Sequence, residues 1–321
     1  MNYVAMFLDH LRAQGRDEKT IVTYVSAFNR FEKCISTREN AGNFEGTPTH
    51  GGYGGPYPLH LASQTDVQFF RSWLLKHYKN STTVLTLKLI NAFFTWAVER
   101  HYIPDNPIEF IDRPAATKSP TKWLTTEEQN SVIREARRIK TAIDKTPTDT
   151  QRAAQLREYA IVLTFLRAGL RVEELCDLKV ADLTITPRKG FLYVKGKGDK
   201  DRTIPLSKEL RDTLTRYLDT RKDNPSPYVF PSQRSEHSTV RAIQFIIEGY
   251  ADRLKMPHLS CHTLRHTFGH DLAVQHNPLD VIARLMGHVK KDGSPNIAMT
   301  VKYTSPGLAD LERAVESIAW N

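Results

Sequence analysis

Cysteine is scarce: 3 in 321 residues. Cys34, Cys176 and Cys261 are too scattered, and odd in number, to build a disulfide framework or a CxxC zinc pattern. Each reads as a small buried apolar side chain, which fits a reducing compartment. No apolar run approaches the roughly 20 residues of a bilayer-spanning helix. The N-terminus, MNYVAMFLDHLRAQGRDEKT, has no apolar signal-peptide core and matches a transit peptide poorly. The expectation is therefore the cytoplasm of a bacterium or archaeon, with no membrane partner. The string GKGDK lacks the GxxxxGK[ST] spacing of a nucleotide phosphate loop. No internal repeat is visible, and no low-complexity tract beyond one glycine-rich stretch. Acidic residues are fewer than basic ones, 36 against 45, for a net charge of +9. That excess favours a polyanionic partner without identifying one.

What is present fits an ordinary globular protein, 40% hydrophobic and 25% charged, long enough for two domains. Val4, Phe7, Leu8 and Leu11 form one apolar stripe, and Ile21, Tyr24, Val25, Phe28 and Phe31 another. Residues 36–60, rich in Gly, Asn, Thr and Pro, read as a long loop or insertion. Helical patterning returns over 65–78 and 82–101, where Leu85, Leu89, Ala92, Phe93 and Trp96 share a face. Prolines then stop regular structure, and residues 112–122 read as a linker. The expected organisation is an all-α first domain, 1–111, and a second domain, 123–321. In the second, Thr125 or Thr126 with Glu127 and Glu128 opens a helix. A long helix over 151–168 ends at Gly169. GFLYVKG and RTIPL form a hairpin with a basic tip. Helices resume over 208–220, 239–254, 263–275, 279–286 and 307–319. The fold class expected is multidomain and mainly α, with a mixed α+β second domain carrying a small antiparallel sheet.

Chemistry-bearing residues recur in one order: Arg171, Lys197, His262 with Arg265, His288, then Tyr303. Arg171 follows the tight backbone at Gly169, and its planar fork suits two oxygens of one phosphate. Glu174 shares its face if a helix begins there, and could hold the guanidinium. His262 and Arg265, at i and i+3, share a helical face. His262, His266 and His270 fall at i, i+4 and i+8, but no HExxH acid accompanies them and Arg265 in their midst repels a cation. Each residue alone has a plainer reading. Arg171 reads as a surface ion pair with Glu174, Lys197 as a solvated turn lysine, His288 as a surface histidine, Tyr303 as a core tyrosine, and His266 and His270 as packing or hydrogen-bonding groups. Their joint order favours chemistry at a phosphodiester. Attack there passes through a more highly charged transition state, so fixed cations belong around it. A tyrosine hydroxyl acts as nucleophile where cations position it or lower its effective pKa.

The strings LRAGLRVEELCDL, GKGDKDRTIPL, HTLRHTFGHDL and LMGH, in this order, resemble the tyrosine recombinase, or phage-integrase, family in its two-domain Xer- or Cre-like form. The likeness covers the last 200 residues or so, and the helical first domain is similar to the family's core-binding domain. The resemblance implies that Arg171 and Arg265 bind the scissile phosphate and that His262 and His288 complete the shell, with His262 a candidate acceptor of the tyrosine proton. It further implies Lys197 as general acid for the 5′-hydroxyl, Glu174 as the group orienting Arg171, and Tyr303 as nucleophile forming a 3′-phosphotyrosyl link, with no metal, cofactor or ATP. The partners it implies are double-stranded DNA carrying a recombination site, further copies of the chain in a tetramer on two sites, and accessory DNA-bending or directionality proteins. The two domains would clamp duplex DNA between them.

The stretch between His288 and Tyr303 is longer than the family pattern, with about 289–297 read as an added surface loop. It leaves open whether Tyr303 acts in its own protomer or in a neighbour. The amphipathic segment 306–320, with Leu308, Leu311, Val315 and Ile318 aligned, is expected to dock on a neighbouring protomer or in cis. The chain starts directly in core-binding helices, so an additional arm-binding domain is not expected. The rival readings are nicking and resealing like a type IB topoisomerase, and a DNA-binding relative without catalysis.

Overall fold

The structure, a computed structural model, describes residues 2–40, 59–112, 114, 123–138, 148–196, 201–232, 235–290, 292–303 and 315–316. The chain divides into two compact units, 1–119 and 120–321. Mainly α-helical, it has one three-stranded antiparallel sheet among the described residues.

The first unit is all α: α1 (Tyr3–Ala13), α2 (Glu18–Asn40), a short 3-10 turn, α3 (Gln64–His77) and α4 (Asn80–Glu99). Gly15, at φ +72°, turns the chain between α1 and α2, a backbone region that glycine enters freely. Ser63 caps α3 in a box with Asp66. The core is aromatic, with Phe7, Phe28, Phe31, Phe70, Phe93, Phe94 and Trp96 all buried. Phe31 and Phe70 meet edge to face at 4.8 Å, a favoured ring geometry.

Three expectations shift here. α2 continues to Asn40, five residues into the stretch read as loop, because CISTREN contains no glycine or proline. The rest of that stretch, 41–58, lies outside the described residues, as does most of the linker 112–122. On α4 the buried face is centred on Leu87, Ile90, Phe93, Phe94 and Ala97, while Leu85 is 47% exposed. By length and hydropathy α4 passes for a membrane span, but nine of its residues are buried in the core of the unit.

The second unit is built around α6 (Asp149–Ala168), buried almost continuously from Tyr159 to Leu166. It follows α5 (Thr126–Arg137), which Thr125 caps with Glu128. Gly169 closes α6 in the left-handed conformation, φ +60°. Then come α7 (Val172–Asp177) and the strands β1 (Leu183–Ile185), β2 (Gly190–Val194) and β3 (Arg202–Pro205). β1 was not anticipated; three residues carry too little alternation to read. β2 pairs with both neighbours, and its register with β3 sets Leu192 opposite Ile204 and Val194 opposite Arg202. Since strand side chains alternate, Arg202 shares the inward face of buried Ile204. The remaining helices are α8 (Lys208–Asp219), α9 (Val240–Leu254), α10 (Cys261–Val274), α11 (Leu279–Met286) and α12 (Ile297–Thr300). A 3-10 turn, Val301–Tyr303, ends this run. Within the stretch read as an added loop, Val289 bridges to Pro295 and Asn296 N–H donates to His288 O at 2.7 Å. The segment 306–320 lies outside the described residues apart from 315 and 316.

Candidate active site

The organising feature is the C-terminal end of α11. Helix ends leave carbonyls without intrahelical partners and carry partial negative charge. Gly287 terminates α11 at φ +63°, and three successive carbonyls accept from three different arginines. Leu285 O takes Arg202 Nε at 3.0 Å, Met286 O takes Arg265 Nη2, and Gly287 O takes Arg171 Nη2 at 3.2 Å. Arg265 also donates to Gly169 O at the end of α6. Two glycine-ended helices therefore solvate a guanidinium that is 2% exposed.

One carboxylate lies among these cations. Glu174 Oε1 accepts from Arg171 Nη1 at 2.8 Å and Arg202 Nη1 at 2.9 Å. Its Oε2 accepts from Arg202 Nη2 at 2.8 Å and from the Arg171 backbone N–H at 2.7 Å. Burial disfavours the Glu174 anion, yet the bonds and charges of Arg202, with Arg171 and Arg265, bring its pKa down to about 2. Arg265 is lowered to about 10 by burial and by Arg171. Around Glu174 stand Arg171, Arg202, Arg265 and, half-buried nearby, Lys302. Cations outnumber carboxylates even with Glu173 and Glu248, which line the adjoining cleft, included.

Beside the arginines opens a cleft of about 340 Å³ lined by Leu170, Arg171, Glu173, Gln244, His262 and Arg265 among others. His262 enters it from the first turn of α10. Its pKa is lowered by burial and then by Lys302, Arg265 and Arg171.

Tyr303 is 1% exposed. Its phenol lies 3.1 Å from His266 Nδ1, its ring stacks on His288 at 5.7 Å, and its carbonyl meets His270 Nδ1 at 3.2 Å. A Cβ on Gly269 would stand 3.1 Å from the ring, so a side chain there would push the ring back by a few tenths of an ångström. Burial raises the Tyr303 pKa, and Arg265 and Arg171 oppose it without prevailing. The phenol is therefore neutral where it meets His266 Nδ1. His266, lowered to about 3 by burial and by His262, is neutral too. His288 is likewise lowered to about 3 by burial and then by Arg265. Its Nδ1 is 3.2 Å from Thr300 Oγ1, whose proton goes to Asn296 O at 3.1 Å. Nδ1 of His288 is thus the protonated nitrogen.

The structure gathers Arg171, Glu174, His262, Arg265, His288 and Tyr303 into one region. Lys197 lies outside the described residues; the base of its hairpin is pinned by Asp201, which accepts from Tyr193 Oη and from Gly196 N–H at 2.9 Å. Of the two ways cations can assist a tyrosine, lowering its pKa and positioning it, Arg265 and Arg171 do pull the Tyr303 pKa down, but burial outweighs them in this state. The phenol's hydrogen-bond partner in this state is His266, read from the sequence as a packing or hydrogen-bonding group. His262 and His266 rings meet edge to face at 4.2 Å, while His270 stacks on Trp123 at 4.0 Å. Among the described residues no three His, Cys, Asp or Glu side chains are grouped to hold a metal. Arg202 and Lys302 also went unassigned. Strand alternation with Ile204 is the signal that points Arg202 inward; for Lys302 the only sequence signal is its place next to Tyr303.

Comparison with known proteins shows the family and the fold. The phage integrase family model matches residues 123–307. Tyrosine recombinase XerA of Pyrococcus horikoshii is 32% identical over 216 residues, 66% of this chain and 66% of that protein. Tyrosine recombinase XerC of Herpetosiphon aurantiacus is 26% identical over 305 residues, 93% and 88% of the two chains. Among solved structures, XerH site-specific recombinase in a post-cleavage complex with a palindromic difH substrate is similar with a TM-score of 0.70. Its identity is 18%, over 95% of this chain and 81% of that one. The Tn1549 transposon integrase with transposon right end DNA has a TM-score of 0.69 and 19% identity over 100% of both chains. At these identities the structural likeness carries the fold.

Proposed function

Because this chain belongs to the phage integrase family, we propose that it is a site-specific DNA recombinase that cuts and rejoins strands through a 3′-phosphotyrosyl intermediate. The carrying observation is the convergence of three arginines on consecutive α11 carbonyls, with one carboxylate among them and a tyrosine close by. Such an arrangement is preorganised for an anion that gains charge as it reacts.

Arg171 and Arg265 hold the non-bridging oxygens of the scissile phosphate. Arg171, at 40% side-chain exposure, is the arm able to turn outward, and Glu174 retains Arg202 when it does. The Tyr303 oxygen attacks phosphorus, forming the O–P bond as the bond to the 5′-oxygen breaks. The phenolic proton passes to a neutral imidazole, either His266, its hydrogen-bond partner at rest, or His262, which lines the cleft. Lys197 gives a proton to the departing 5′-oxygen. His262 and His288 donate to phosphate oxygens; for His288 this means gaining a proton at Nε2, which an arriving anion favours. Attack by the 5′-hydroxyl of a partner strand reverses each step, so bond energy is conserved. Four protomers on two sites, assisted by accessory DNA-bending or directionality proteins, and a cytoplasmic location complete the reading.

The test begins with duplexes recovered from a random pool by the purified protein. A nicked version of the recovered sequence, whose 5′-hydroxyl product diffuses away, traps covalent protein–DNA with wild type and none with Tyr303→Phe. Trapping by the phenylalanine variant removes Tyr303 as nucleophile. Relaxation of plasmids lacking the recovered sequence replaces recombination with topoisomerase-like resealing.

A further inference from the structure

We propose that Lys302 is an additional phosphate-binding residue, contacting the phosphodiester that Arg171 and Arg265 hold and adding a cation beside the nucleophile; the proposal rests on the recombinase reading above.

Lys302 immediately precedes Tyr303, and its ammonium stands 5.0 Å from the centre of the Tyr303 ring. The side chain is half-buried. The charged neighbours acting on it are Arg265 and Arg171, both cations. Lys302 is in turn the largest charge acting on His262 and a contributor at His266 and His288. Glu174, the carboxylate of the cluster, spends both oxygens on Arg171 and Arg202. Among the described residues no carboxylate forms an ion pair with Lys302.

A lysine in this position is costly to the empty protein. It loses hydration and gains repulsion, compensated only by an aromatic face worth about 0.5–2 kcal/mol. Lysines ordinarily avoid this by extending into solvent. An anion bound between Arg171, Arg265 and Lys302 turns the repulsion into attraction, and the gain is larger for a phosphorane-like transition state than for the ground-state diester. Because Lys302 shares a backbone turn with Tyr303, drawing it to the phosphate also draws the phenol.

Full-length wild type, Lys302→Met and Lys302→Arg are compared in three measurements. First, each is melted in low salt with and without inorganic phosphate. Lys302→Met is expected to melt no lower than wild type without phosphate and to gain less from adding it. Second, duplex affinity is measured against salt. The slope of log K against log salt falls by about 0.9 in Lys302→Met, the loss of one phosphate contact, and Lys302→Arg restores it. Third, trapping on the nicked duplex slows by roughly tenfold or more in Lys302→Met, as for other charge-stabilising groups, and recovers in Lys302→Arg. If Lys302→Met melts lower yet keeps the wild-type salt slope and trapping rate, the lysine merely packs on the Tyr303 ring and the proposal fails. Failure of Lys302→Arg to restore the slope overturns it too. Lys302→Gln replaces the methionine variant if that one does not fold. A wild type that traps nothing defeats the recombinase reading instead, while the phosphate and salt measurements still decide Lys302.

Discussion

The arginine cluster and the tyrosine segment lie side by side but are built on opposite terms. Around α11 each guanidinium is bonded to a carbonyl, and two are also bonded to Glu174. The cluster is assembled in advance of any substrate. Tyr303 sits on a 3-10 turn after the four-residue α12, with its hydroxyl turned to a histidine, its pKa raised and its surface covered. The cationic cluster is formed at rest, whereas the Tyr303 phenol is buried and neutral. The difference follows from cost. Solvating an arginine with helix carbonyls is favourable without ligand, whereas a buried phenolate would lose hydration that Arg265 and Arg171 do not fully replace.

Breaking the cluster should produce the largest effect. Glu174→Ala leaves Arg202, Arg171 and Arg265 facing one another without a carboxylate. Removing one member of a buried ionic group costs about 3–5 kcal/mol, read as a drop in denaturation midpoint. Glu174→Gln keeps the shape and loses the charge, so it isolates the electrostatic part. An unchanged midpoint in Glu174→Ala would show that the helix carbonyls alone hold the arginines. Next comes Gly287→Ala. A Cβ there would stand 2.8 Å from Arg202 Nη1, at a φ of +63°. The left-handed backbone alone costs about 1–2 kcal/mol for a residue with a Cβ, and Arg202 must also move. A loss of stability with DNA affinity also weakened is expected. Lost stability with affinity intact would separate Arg202 from the phosphate clamp.

The same contrast decides what the sequence could reveal. Arg171, Arg265 and His262 are legible because each lies in a local string whose spacing fixes its face. Arg202 is in such a string too, but its partners are Glu174, 28 residues before it, and Leu285 O, 83 residues after it. No local pattern encodes that pairing; only alternation with Ile204 hints that it turns inward. His266 shares a face with His262 by spacing, yet what gives it meaning is a phenol 37 residues away. Gly169 reads as a helix end, which it is, and the helix read over 279–286 stops at the left-handed Gly287. Their second effect, exposing the terminal carbonyls to arginines, needs two helices placed together. In the first unit the outcome was similar: α2 was recognisable, but its run on to Asn40 follows from the absence of a breaker in CISTREN.

The smallest expected effect tests the tyrosine side through pH. His266 and His288 have folded pKa values of about 3, below the unfolded value of about 6.5. Above pH 6.5 both are neutral in folded and unfolded protein, and their contribution to stability is fully present. Below it the unfolded chain takes up protons that the folded chain refuses, so stability falls as pH drops from 6.5 toward 3. The slope is about 1.4 kcal/mol per pH unit for each histidine. His266→Gln keeps a side chain able to accept from the phenol but removes one titrating group. Unfolding measured between pH 4 and 6 should therefore show a shallower acid slope, by about 1.4 kcal/mol per unit, and little change at pH 8. An identical slope in the variant would mean that His266 takes up protons in the folded state. It would then not be a neutral partner of the Tyr303 hydroxyl.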